Sequence, residues 1–328
     1  MDTSGTEFLR SLDVCAGAGG LALGLEQAGF DPVMLLDNRK VACETLRLNR
    51  PAWDVLEADL LDFDPYEHQQ TYDVDLLSAG PPRVKATAAT ARRERDTELK
   101  LLEATIMLLH GVQPRAFLLE NVPDLVTKDE YAPIREFVRA ELEHLGYRYR
   151  WFVVNAVDFG VPQNRKQGIL VAFKGDAMDA FTPPAPTVER HVTVGEALAD
   201  SMASRGWPGA RAWAAQADQP APTIVGGSWE RGGGDLGPTG AKKAWARMGV
   251  DGGTVADDVP GPGFHWDPSL GRAGMMPLTV AQVARIQGFP DHWRFAGRKT
   301  AQYRQVGHAC PPPVGRALGQ AVAAALRS

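Results

Sequence analysis

Cysteine is scarce in this sequence: three residues in 328, Cys15, Cys43 and Cys310, far apart and with no Cys-x-x-Cys pair among them. That argues against a disulfide framework or a cysteine-built zinc site and fits a reducing compartment. No apolar run approaches the roughly 18 residues that a bilayer span needs. The opening segment MDTSGTEFLRSLDV has neither the basic end nor the apolar stretch of a secretion signal. A cytoplasmic protein that does not engage a membrane is expected. A basic excess is also missing, since the formal net charge is -5, which on its own disfavours a nucleic-acid partner. With 44% hydrophobic and 23% charged residues, disordered and collagen-like chains are excluded. The length leaves room for two domains or for one large domain carrying an insertion.

The charge is unevenly spread. Residues 1–82 hold 5 Lys/Arg against 15 Asp/Glu, whereas 83–100 hold 6 against 3 and 276–328 hold 7 against 1. Two basic segments thus survive on an acidic chain, either as solvated helix faces or as phosphate contacts. From Phe8 to Phe173 short apolar runs alternate with amphipathic stretches. Some of these runs, AFLLENV and GILVAF among them, are apolar on both faces, as strands covered by helices on both sides must be. The pattern predicts an α/β, doubly wound, Rossmann-like domain. After Lys174 it gives way to Gly-, Trp- and Pro-rich sequence such as GGSWERGGGDLGP and VPGPGFHW, read as a small irregular lobe. Regular periodicity returns from Leu278 and ends in a helical VGRALGQAVAAALRS. The expected division is 1–183 plus 301–328 for the large domain and 184–300 for the lobe.

In LDVCAGAGGLALGLEQAGF, Asp13 to Cys15 close the first strand and Gly17, Gly19 and Gly20 form the turn into a helix. Open α/β sheets bind ligands outside the carboxyl ends of their strands, so this turn is the default ligand site. Its spacing departs from the GxGxxG dinucleotide fingerprint. Two more acids follow in order, Asp37 at the end of the second strand and Asp59 at the end of the third. An acid at the second strand's end can bind both hydroxyls of a ribose; either acid can also be only a cap or loop residue.

These segments, taken in order, resemble the DNA cytosine-5 methyltransferase family. DVCAGAGG, Asp37 and Asp59-Leu60, SAGPP, LLENV with Glu120, VDFGVPQNRKQ, LTVAQVARIQGFP and YRQVGHACPPPVGRALGQAV match its motifs over nearly the whole chain. The resemblance implies an S-adenosylmethionine-dependent catalytic domain closed by the C-terminal helix. It also implies a small target-recognition lobe, in which Thr223-Ile224 answers to a recognition pair. Asp13, Cys15, Ala16, Gly17, Gly19, Asp37, Asn38, Asp59, Leu60 and His308 would contact the cofactor. Glu120, Gln163 and Arg165 would serve the base pocket, the partner would be double-stranded DNA with the target cytosine flipped out, and the protein would be a monomer. No metal is expected, because no His/Asp/Glu cluster accompanies His308.

The same resemblance implies a cysteine directly after Pro81-Pro82, whose thiolate adds to C6 of the extruded cytosine. This chain has Arg83 there. Val84 stands for a glutamine, Gln167 for the second arginine of a Gln-x-Arg-x-Arg pattern, and His308 for the asparagine of a Gly-Asn pair. A retained donor site therefore lies beside a remodelled acceptor site. Arg83, Lys85, Arg92, Arg93 and Arg95 are candidate phosphate contacts, and Cys310 is a candidate relocated thiolate. Three readings stay open: an active methyltransferase, an inactive DNA-binding or regulatory relative, and a methyltransferase of altered chemistry or RNA substrate.

Overall fold

The computed structural model describes residues 8–84, 92–227 and 233–328, with 92–95 as backbone only. The described residues divide into two compact units, one drawn from Met1–Val154, Lys166–Pro184 and Val314–Ser328, the other from Asn155–Arg165 and Ala185–Pro313.

The first unit is built on nine-residue or shorter strands: β1 (Leu9–Val14), β2 (Phe30–Asp37), β3 (Val55–Glu57), β4 (Leu76–Ala79), β5 (Ala116–Asn121) and β6 (Tyr147–Asn155). In the second, β7 (Gln163–Asn164) is followed by β8 (Lys166–Lys174), which returns to the first, and later by β9 (Ala221–Pro222). The large sheet runs in the order β3-β2-β1-β4-β5-β8-β6. Its pairs among β1 to β5 are parallel and β5/β8 is antiparallel. This is the doubly wound α/β architecture that the alternating apolar runs predict. Every residue of β5 is buried, as befits a strand covered on both faces.

Helices α1 (Gly20–Gln27), α2 (Lys40–Asn49), α3 (Arg92–Val112), α4 (Pro123–Thr127), α5 (Ala132–His144) and α6 (Ala177–Ala180) belong to this unit. Leu12, Met34, Leu77, Ile106, Phe117, Leu119 and Leu170 form its core. Full burial of such a side chain contributes about 1.5–3 kcal/mol. Register fixes what meets at the sheet's rim: Val14 pairs with both Leu36 and Ala79, and Ala79 pairs with Leu119. The residues that follow β1, β2, β4 and β5 therefore emerge side by side.

In the second unit β7 pairs parallel with β9. The Gly- and Pro-rich sequence there is more helical than its fading periodicity predicts. It contains α7 (Val194–Ala203), α8 (Ala210–Gln216) and α9 (Thr239–Arg247), while α10 (Val280–Ile286) and α11 (Lys299–His308) lie where regular periodicity returns from Leu278. Helices α7 and α10 both start on capping boxes, Thr193 with Glu196 and Thr279 with Gln282, which satisfy backbone donors at both ends of the motif. Indoles fasten the loops: Trp207 Nε1 donates to Phe264 O at 3.1 Å and Trp266 Nε1 to Gly249 O at 3.2 Å. The final helix, α12 (Pro312–Arg327), carries Gly315 and Gly319, and a Cβ at Gly319 would lie 2.7 Å from that of Ala28 beside α1. Glycine at that position allows the two helices to close.

Candidate functional site

The turn after β1 is shaped by positive φ at three successive odd positions, Cys15 (53°), Gly17 (55°) and Gly19 (82°). Glycine adopts this region at little cost, and a cysteine there is strained. Asp37, the last residue of β2, holds the turn: its Oδ2 accepts the Gly17 N–H and its Oδ1 the Arg39 N–H, each at 2.8 Å. The Ala16 N–H donates to Leu36 O at 3.0 Å. A Cβ built on Gly17 would meet no atom within 4 Å, so the backbone here borders open space. Asp59 lies two residues beyond β3 rather than at its end, because that strand is only three residues long. Its Oδ1 accepts the Leu61 N–H at 3.0 Å, and its Oδ2 lies 3.4 Å from the Asn38 amide nitrogen that donates to it. Leu60 is buried beside it. The expected cofactor residues of this unit thus occupy three adjacent strand ends.

Asp13 is buried within β1, with Oδ1 accepting the Ser78 hydroxyl at 2.9 Å and Oδ2 without a hydrogen-bond partner. Burial, opposed by the Ser78 hydrogen bond and reinforced by the Asp37 charge, pushes its carboxyl up to about 7. Burial likewise raises Asp37, partly offset by the Arg39 and Gly17 amides. The Cys15 thiol is raised by burial and by Asp37, Asp13 and Asp59, and so stays protonated. Cys43, buried in α2, is pushed up to about 11, chiefly by burial.

Across the same rim, β5 ends on Glu120 and Asn121. Glu120 is buried and its Oε1 has no hydrogen-bond partner. Its Oε2 lies 3.9 Å from where a Gly80 Cβ would stand, which sets it against the loop that follows β4. Asn121 ties that loop down. Its Oδ1 accepts the Val84 and Val122 N–H groups at 3.2 and 2.9 Å, and its Nδ2 donates to Pro81 O and Pro82 O at 3.3 and 3.4 Å. Tyr131 adds a hydroxyl donated to Val84 O at 3.3 Å. Arg83, half-buried, is therefore held in a fixed backbone next to the β5 end. Lys85 lies outside the described residues, as do the side chains of Arg92, Arg93 and Arg95.

Gln163, Arg165 and His308 are in the second unit. Gln163 and Arg165 alternate with exposed Asn164 and Lys166, the period-two pattern of a strand. The Arg165 guanidinium is fully buried and donates through Nη1 to Ile224 O at 2.8 Å and Gly307 O at 3.2 Å. Gln163 accepts the Ile224 N–H at 2.8 Å and donates to Gln287 Oε1 at 2.6 Å; Gln287 in turn donates to Ala309 O at 2.5 Å. Both residues thus fasten the segment at Thr223-Ile224 to the end of α11. Thr223 spends its hydroxyl on Asn164 O at 2.7 Å. The His308 ring packs on Gly226, with Nε2 3.0 Å from Gly227 O. Gln167, on β8, is buried in the first unit. Cys310 is buried and its thiol faces Pro311 O at 3.8 Å.

Asn121, Ser78, Tyr131 and Gln287 went unread in the sequence. Asn121 and Gln287 stand inside the matched segments LLENV and RIQGFP, where the neighbouring residues drew the reading. Among the described residues no group of three or more His, Cys, Asp or Glu could hold a metal ion, and no helix is long and apolar enough to cross a membrane.

The profile of the C-5 cytosine-specific DNA methylases matches residues 9–224 and 241–324. The Type II methyltransferase M.NaeI of Lentzea aerocolonigenes is 44% identical over 326 residues, covering 98% of this chain and 76% of that protein. M.NgoMIV of Neisseria gonorrhoeae, also a Type II methyltransferase, is 39% identical over 326 residues, covering 97% and 98%. The methyltransferase EhMeth of Entamoeba histolytica shares the fold, with a TM-score of 0.66 at 12% identity over 97% of this chain and 98% of that one.

Proposed function

The chain belongs to the C-5 cytosine-specific DNA methylase family, and from that premise we propose that it binds S-adenosylmethionine and cytosine-containing DNA but does not complete methyl transfer to C5. The residues present fit the cofactor. Acids stand at successive strand ends, the Gly17 backbone borders open space, and an unpartnered carboxylate oxygen of Asp13 is buried behind it. Asp37 would take the ribose hydroxyls, Asn38, Asp59 and Leu60 the adenine, and the turn from Cys15 to Gly19 the methionine portion. His308 is assigned to the same ligand by family resemblance alone. When bound, the cofactor supplies an electrophilic methyl group on a sulfonium.

Glu120 would hold the target base, its unpartnered Oε1 accepting from the cytosine amino group. Gln163 and Arg165 act one step back, on the backbone of the recognition segment.

The observation that carries the reading is Arg83. The loop after Pro81-Pro82 is clamped to β5 beside Glu120, and it presents a guanidinium where the family resemblance implies a thiol. Arginine is always charged and has no lone pair with which to add to C6. The other thiols do not compensate, since burial holds Cys15 and Cys43 protonated and Cys310 is buried against Pro311.

Incubation with S-adenosylmethionine and unmethylated DNA of mixed sequence, digestion to nucleosides and mass spectrometry test it. No methylated base is expected from the wild type and 5-methylcytosine is expected from Arg83→Cys. 5-Methylcytosine from the wild type contradicts the reading, and N4-methylcytosine or N6-methyladenine replaces it with altered chemistry.

A further inference from the structure

We propose that Asp13 selects the positively charged sulfonium cofactor over its neutral thioether product, acting through its unpartnered Oδ2. The proposal rests on the reading of the β1 turn as the cofactor site and concerns how that site tells one ligand from the other.

A buried carboxylate with a single hydrogen bond is costly, and proteins ordinarily set a cation against it. Among the described residues, the groups that act on Asp13 supply none. From β4 comes the neutral Ser78 hydroxyl, and from the end of β2 comes the Asp37 carboxylate. Cys15 follows on the same strand and itself feels Asp13, Asp37 and Asp59. Helix α1, GLALGLEQ, contains no cationic residue. From β5, the Glu120 Oε2 lies 3.9 Å from where a Gly80 Cβ would stand. Arg39 bears on Asp37 and Arg83 sits in the loop after β4, but no cation acts on Asp13 itself, whose Oδ2 accepts no hydrogen bond among the described residues. A ligand bearing a permanent positive charge completes it.

The sulfonium carries that charge before methyl transfer. Afterwards the same sulfur is a neutral thioether, and every other part of the molecule is unchanged. A carboxylate near the sulfur therefore distinguishes the two, attracting one and leaving the other unaided.

The selection depends on pH, because burial and the neighbouring Asp37 raise the Asp13 carboxyl to about 7 against the Ser78 hydrogen bond. Binding a cation favours the ionised form, so below that pH the cofactor must displace a proton. Affinity for the sulfonium then rises with pH and levels off above about 7. Affinity for the thioether changes little.

Isothermal titration calorimetry of S-adenosylmethionine and S-adenosylhomocysteine on the full chain, from about pH 5.5 to about pH 8.5, reads this without any catalysis. In the wild type the ratio of product Kd to cofactor Kd is expected to rise by up to about tenfold per pH unit at the acid end and then level off. Asp13→Asn, which keeps the Ser78 hydrogen bond, is expected to flatten that rise and to weaken cofactor binding by about tenfold at high pH, leaving product Kd within about twofold. Ser78→Ala removes a bond that favours the charged form and is expected to move the midpoint to higher pH. Asp13→Asn that binds both ligands with the wild-type pH-dependent ratio overturns the proposal. So does Ser78→Ala with an unmoved midpoint, which decides the matter if Asp13→Asn does not fold. Failure of the wild type to bind either ligand overturns the cofactor reading itself, and this assignment with it.

Discussion

The Asn121 side chain bridges the loop that carries Arg83, accepting the Val84 N–H at 3.2 Å and donating to Pro81 O at 3.3 Å. Because Asn121 adjoins Glu120 on β5, one buried amide sets residue 83 and the Glu120 carboxylate in a common frame. Asn121→Ala leaves buried backbone groups unsatisfied and is expected to cost about 2–4 kcal/mol of stability. Asn121→Asp keeps the acceptor but sets a buried, charged oxygen beside Glu120 against the Pro81 and Pro82 carbonyls, so it should cost at least as much as alanine. Urea denaturation of the three proteins checks the order.

Asp13 makes a second claim, on stability. Its folded-state carboxyl lies near 7, above the ordinary value of 3.8. Between those values the native state binds more protons than the unfolded state, so this group's stabilising contribution is complete below the lower value and is lost as pH rises through the upper one. Asp13→Asn should therefore raise Tm at about pH 8, by a free energy on the order of a few kcal/mol. The gain should shrink toward zero near about pH 4. Calorimetry of both proteins across that range shows whether the gap closes with acid.

Arg165 is a fully buried cation that donates to Ile224 O and Gly307 O. Lysine cannot reproduce the planar fork, and Arg165→Met removes the donors altogether. Losses of about 1–3 kcal/mol and at least about 3 kcal/mol are expected, respectively. Limited proteolysis should show the Thr223-Ile224 segment opening in the methionine variant before the rest of the chain is cut.

Gly307 and Gly226 meet backbone to backbone, and a Cβ on Gly307 would lie 2.5 Å from Gly226 N and 2.6 Å from its Cα. Neither contact has a flexible end to give way. Gly307→Ala is expected to destabilise by about 1–3 kcal/mol, whereas Gly17→Ala meets no atom and is strained only by its positive φ. Thermal melts of the two variants separate the causes.

The first unit was legible because its strands are buried on both faces, which leaves unbroken apolar runs such as AFLLENV between amphipathic helices. The acids at strand ends were legible for the same reason, since the end of a run marks the end of a strand. Asp59 sits beyond its strand because β3 pairs with β2 alone and is short. Helices α7, α8 and α9 of the second unit were missed, α7 although Thr193-x-x-Glu196 spells a capping box, because glycine and proline around them masked the period, whereas α10, behind Thr279-x-x-Gln282, lies where regular periodicity returns. Gln163 and Gln287 bond across 124 positions, a separation that leaves no local trace. Asn121 serves a loop rather than a ligand, and nothing in the local pattern distinguishes that role.

Covalent trapping tests the central claim most directly. DNA containing 5-fluorocytosine, mixed with S-adenosylmethionine and protein, retains an adduct at C6 once the methyl group has reached C5, because fluorine stands where the proton lost in the releasing elimination would be. Arg83→Cys is expected to yield a denaturation-resistant protein–DNA band, lost again in Arg83→Cys with Glu120→Gln, and the wild type is expected to bind the DNA without forming one. An adduct with the wild-type protein, or none with Arg83→Cys on DNA that it binds, contradicts the account.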